Sequence, residues 1–144
     1  MKRVLICAAA SAALLVPGAA FGGASSQSIY LGELDGVEGS EVRLKARHAD
    51  GETNVVVITV RDVPVDCEGE TEGTILPRVT LRGEIPVDGR DFAVKDDNGE
   101  TTFKASGRLG ARKSTGRFRY FGSMNLEGST RECDTGGYSY TAER

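Results

Sequence analysis

Along most of this chain polar and apolar side chains alternate at every step, the period of a strand with one buried face. In residues 41–47, Val42, Leu44 and Ala46 share one side, and Glu41, Arg43, Lys45 and Arg47 share the other. In residues 101–109, Phe103, Ala105, Gly107 and Leu109 oppose Thr102, Lys104, Ser106 and Arg108. Residues 117–126 return the chain, with Phe118, Tyr120, Met124 and Leu126 inward and Arg117, Arg119, Phe121, Ser123 and Asn125 outward. Further strands are expected at 28–34, 79–85, 91–95 and 137–142, the last with Tyr138 and Tyr140 on one face. Residues 55–61 are apolar on both parities, as in a central strand or a barrel strand covered by a loop. Pro64 marks an edge or a bulge on the way to Cys67.

Turn chemistry separates these runs: Asp35-Gly36, Asp50-Gly51, Asp88-Gly89 and Asn98-Gly99, the last a strong hairpin signal. No dozen-residue window after the N-terminal stretch carries helical spacing. The pattern predicts an all-β domain of about eight antiparallel strands in a meander, closed as a barrel or flattened into a sandwich. A Greek-key sandwich satisfies the same alternation.

The N-terminal stretch is different. Met1-Lys2-Arg3 is basic, Val4 to Val16 is apolar, Pro17-Gly18 breaks the run, and small residues around Ala20-Phe21-Gly22 and Gly22-Gly23-Ala24 offer cleavage points. This is the layout of a secretory signal peptide, too short to span a bilayer. The expectation is a removed leader at 1–22 and a single domain at 23–144, secreted or periplasmic, with no transmembrane segment. Cys7 precedes most of the apolar run, whereas lipidation needs a cysteine after it.

Charge and cysteine usage narrow the partners. Lys2 and Arg3 leave with the leader, so 18 cations become 16 against 21 acids, a mature charge of about −5. That balance argues against a nucleic-acid binder. Cys67 and Cys133 remain, and in an oxidising compartment an even pair reads as a disulfide; two free thiols or a partial metal site are the alternatives.

Several short motifs recur in order: Tyr30-x-Gly32, Cys67-x-Gly69, Gly107-Arg108-Leu109, Gly116-Arg117-Phe118, Cys133-Asp134-Thr135-Gly136 and Tyr140-Thr141-Ala142. Together they resemble a recurrent type of bacterial secreted β-domain with a glycine-rich hairpin, a C-terminal Cys-Asp-x-Gly run and an aromatic-Thr-Ala ending. The usual ending has Trp where this chain has Tyr140. The resemblance implies the fold, the disulfide and export, and carries over no functional residue.

Catalytic chemistry finds little purchase. His48 is the one histidine, beside Asp50-Gly51, and reads as a solvated loop residue. No nucleophile elbow is present, and the acids cluster in turns without the spacing of a calcium loop. No cofactor or metal site is expected. The feature that remains is a set of outward cations, Lys104, Arg108, Arg117 and Arg119, which strand pairing would gather on one sheet face near Ser106 and Phe121. Such a face suits phosphate or carboxylate groups of an anionic envelope polymer, or serves as a soluble outer face whose cations discourage edge-to-edge aggregation. The functional expectation is a non-enzymatic extracytoplasmic β-module, binding or structural. The alternative is a carrier that holds a small apolar ligand inside a barrel.

Overall fold

The computed structural model describes residues 24–69 and 73–144; the expected leader lies outside the described residues. All regular elements among them are strands: β1 Ser26–Leu34, β2 Glu41–Ala49, β3 Glu52–Pro64, β4 Asp66–Cys67, β5 Ile75–Pro86, β6 Asp91–Asp97, β7 Thr101–Leu109, β8 Lys113–Leu126, β9 Ser129–Asp134 and β10 Tyr138–Glu143. They form one antiparallel sheet curled into a half-barrel, as the alternation predicts.

Eight strands follow the path β5-β3-β2-β1-β10-β8-β7-β6, so the first and last strands pair with each other. Glycine permits this junction: Gly32 faces Ala142, and a β-carbon on Gly32 would run into the backbone of Thr141 and Ala142. The sheet opens between β5 and β6, which share no ladder and are joined by the 87–90 turn with a single bridge, Asp88 to Asp91.

Local chemistry explains the elements. Asp50 and Gly51 both adopt positive φ, 53° and 82°, the geometry that two-residue hairpins require. Asn98 caps its turn through Oδ1, which accepts from the amides of Glu100 and Thr101 at 3.0 and 2.8 Å. The two-sided apolar run in β3 has a specific cause. A register shift between Val55 and Val57 moves the inward parity from Val55 to Ile58 and Val60, all of them buried.

Inward side chains form one core. Val42, Leu44 and Ala46 of β2 meet Tyr30 and Leu34 of β1, Phe103 and Ala105 of β7, and Phe118 of β8. The Phe103 and Phe118 rings pack with centroids 5.3 Å apart. Tyr120, Met124 and Leu126 are half-buried against this core, as the alternation of residues 117–126 predicts.

Two strands escape the sequence pattern. β8 runs past the barrel and turns at Glu127-Gly128 into β9, whose edge takes up β4. In this arm Cys67 faces Cys133, and the two are joined by a disulfide with Cα atoms 4.0 Å apart. Glu68 and Arg131 lock it further: the Arg131 Nη1 donates to the Glu68 carbonyl at 2.7 Å.

Candidate anion-binding face

Three strands carry the predicted cations. Because residues of one parity share a face, β6 offers Asp91, Ala93, Lys95 and Asp97 outward; β7 offers Thr102, Lys104, Ser106 and Arg108; and β8 offers Thr115, Arg117, Arg119 and Phe121. The registers then decide which meet. Lys95 faces Lys104, and Lys104 faces Arg119, so three cations stand in one row across three strands. One row away, Ala93 faces Ser106 and Ser106 faces Arg117. Arg108 lies a row further on, opposite Asp91 and Thr115.

The small side chains of Ala93 and Ser106 leave a shallow hollow of about 390 Å³, bordered by Lys95, Lys104, Arg117 and Arg119. Arg117 reaches toward the residue before β10, its guanidinium coming 3.9 Å from the β-carbon position of Gly137. A second hollow of about 170 Å³ adjoins the first and shares Lys104 and Arg119 with it; its far wall is Phe121, 41% exposed.

Ion pairs sort these cations. Arg119 binds Asp134 with a two-pronged contact, Nε to Oδ1 at 3.0 Å and Nη2 to Oδ2. That pair, above all its hydrogen bond, holds the Asp134 carboxyl below its ordinary range and raises the guanidinium. Lys95 meets Asp97 at 2.9 Å, chiefly by a hydrogen bond that likewise lowers the Asp97 pKa. Arg108 reaches Asp91 at 3.5 Å. Lys104 and Arg117 make no ion pair among the described residues.

The structure thus brings Lys104, Arg117 and Arg119 together around one hollow and leaves Arg108 outside it, tied to an acid. The sequence reading missed Lys95. Its outward parity in β6 was visible, but its place opposite Lys104 depends on the β6–β7 register.

His48 needs correction. It is no solvated loop residue, because β2 continues to Ala49 and the side chain is half-buried at the barrel mouth. Its Nε2 lies 2.9 Å from Ser28 Oγ and its Nδ1 2.9 Å from Thr53 Oγ1. Both ring nitrogens are therefore engaged in tying β1, β2 and β3, and the bonds satisfy Ser28, which is only 2% exposed. A hollow of about 190 Å³ lies over this trio, with Tyr30, Arg90 and Arg144 at its walls. Among the described residues, no group of three or more His, Cys, Asp or Glu side chains is placed to hold a metal ion. No helix among them is long and apolar enough to cross a membrane.

No family model, curated protein or solved structure matches this chain.

Proposed function

We propose that the protein is a non-enzymatic extracytoplasmic β-module that binds an anionic polymer of the cell envelope through the outer face of β6, β7 and β8. The observation that carries this reading is the row Lys95–Lys104–Arg119. Like charges directly opposite each other in a sheet destabilise it. Asp97 and Asp134 offset the two ends, but Lys104 in the middle is uncompensated. An anion laid across the row makes several charge-assisted hydrogen bonds at once. The hollow beside the row gives that anion a seat.

Export is supported by the leader pattern, by the Cys67–Cys133 disulfide and by the resemblance to secreted β-domains. The carrier alternative needs apolar space inside the sheet. Phe92, Phe103 and Phe118 occupy that interior, which favours the outer face as the place of binding.

The test is affinity electrophoresis of the 23–144 domain through gels containing polygalacturonate or polyphosphate. Retardation of the wild type is expected, weakening as salt is raised and abolished in the Arg117→Ser/Arg119→Ser variant. A wild type that migrates freely through both gels refutes the proposal.

A further inference from the structure

Resting on that reading, we infer that the polymer is an acidic polysaccharide, a glycan whose sugars carry carboxylates, and that Phe121 is the platform for its sugar rings. Phe92, Phe103 and Phe118 are all buried, and Phe121 alone among the described phenylalanines faces outward. It stands next to the charged row: Thr102 faces Phe121, and Lys104 faces Arg119 two residues along the same strands. Phe121, Arg119 and Arg117 follow at successive outward positions, a track of about 13 Å along β8. The two hollows adjoin over Lys104 and Arg119, so a chain lying along this track touches the ring, the cations and the Ser106 hydroxyl in turn.

The chemistry of the track selects the occupant. A pyranose has an apolar C–H face, which packs on an aromatic ring, and an equatorial edge of hydroxyls and, in a uronic acid, one carboxylate. Phe121 matches the face. Thr102 and Ser106 match the hydroxyls. Lys104 and Arg117, the two cations without ion pairs among the described residues, match the carboxylates. Asp134 stands opposite Phe121 on β9 and holds Arg119 with two hydrogen bonds. A phosphate polymer has no use for an exposed phenyl ring, and a neutral glycan has none for the cationic row.

The experiment compares the wild-type 23–144 domain with Phe121→Ala in gels containing polygalacturonate, polyphosphate or dextran. Phe121 is exposed, so its truncation leaves the core intact, and thermal melts of both proteins check this. The inference predicts that Phe121→Ala weakens polygalacturonate binding about three- to tenfold, with polyphosphate binding unchanged and dextran unbound throughout. Equal losses on both polyanions, or none on either, overturn the sugar platform and leave the anion-binding reading standing. Wild-type retention by polyphosphate alone does the same. Retention by dextran at the same strength overturns the role of the charges, and retention by neither polyanion overturns both readings.

Discussion

Gly116 lies directly opposite Tyr140 in the β8–β10 ladder, and the tyrosine hydroxyl stands 2.5 Å from the point that a β-carbon on Gly116 would occupy. Gly107 faces Gly116 across the next ladder and is just as crowded, by the same hydroxyl, by the Thr115 carbonyl and by Phe92. Two glycines thus clear a niche for one buried phenol. The glycine-rich motifs and the aromatic-Thr-Ala ending, far apart in the chain, meet at this point.

Gly116→Ala should therefore destabilise the domain by about 1–3 kcal/mol or more through overpacking, since the Ser106 carbonyl also blocks the new methyl. Gly83→Ala is the control. Open space surrounds that site, so its effect should stay within about 0.5 kcal/mol. Urea unfolding of both variants checks the contrast, and equal midpoints would remove the packing argument.

Tyr140 should also ionise late. Burial pushes its pKa up to about 12, against a smaller lowering by Ser114, which is close by but outside normal hydrogen-bond geometry. The folded state therefore holds this proton more tightly than the unfolded chain, whose tyrosines titrate near about 10. The resulting stability is complete below about pH 10 and is lost as pH rises toward about 12. Absorbance titration should show a tyrosine ionising at about 12, and Tyr140→Phe should remove that step.

Residue types differ in how plainly they signal structure. Strand β7 was read at its observed bounds, because Phe103, Ala105 and Leu109 alternate with charged and hydroxyl side chains. The disulfide followed from counting cysteines. Strand β9 was invisible: in Ser129–Asp134 only Cys133 is fully buried, so the arm writes no apolar period. Its Glu127-Gly128 turn lacks the Asn or Asp that flags a hairpin, although both residues adopt the required positive φ. The parity of Lys104, Arg117 and Arg119 was plain, but the hollow and the Lys95–Lys104–Arg119 row needed the registers, which no single strand encodes. His48 was misplaced because a histidine beside Asp-Gly looks solvated until Ser28 is brought to it from β1.

The disulfide should carry a large share of the stability. It closes a separation of 66 residues, for which chain entropy gives about 4 kcal/mol. Paired Cys67→Ser and Cys133→Ser substitutions should lower the unfolding free energy by roughly that amount. A thermal midpoint unmoved by the substitutions or by reductant would show the β4–β9 arm to be dispensable.

Acid should loosen the same region from the other side. The Asp134 carboxyl sits below its ordinary value because of Arg119, with a smaller contribution from the Gly136 amide. Its contribution is present at neutral pH, complete above the unfolded carboxylate range near about 4, and lost as pH falls through the folded value. Asp134→Asn should flatten the acid limb of the stability profile between about pH 5 and 2, and a profile identical to wild type would contradict the pairing.

The most direct test of the charged row is thermal unfolding of the wild type and Lys104→Thr as polygalacturonate is added. Without polymer the variant should be the more stable, by about 0.2–1 kcal/mol, because a cross-strand repulsion has gone. With polymer the order should reverse, since only the wild type gains stability from binding. A variant less stable from the outset, or melting curves indifferent both to polygalacturonate and to polyphosphate, would contradict the claim that this row is held for an anion.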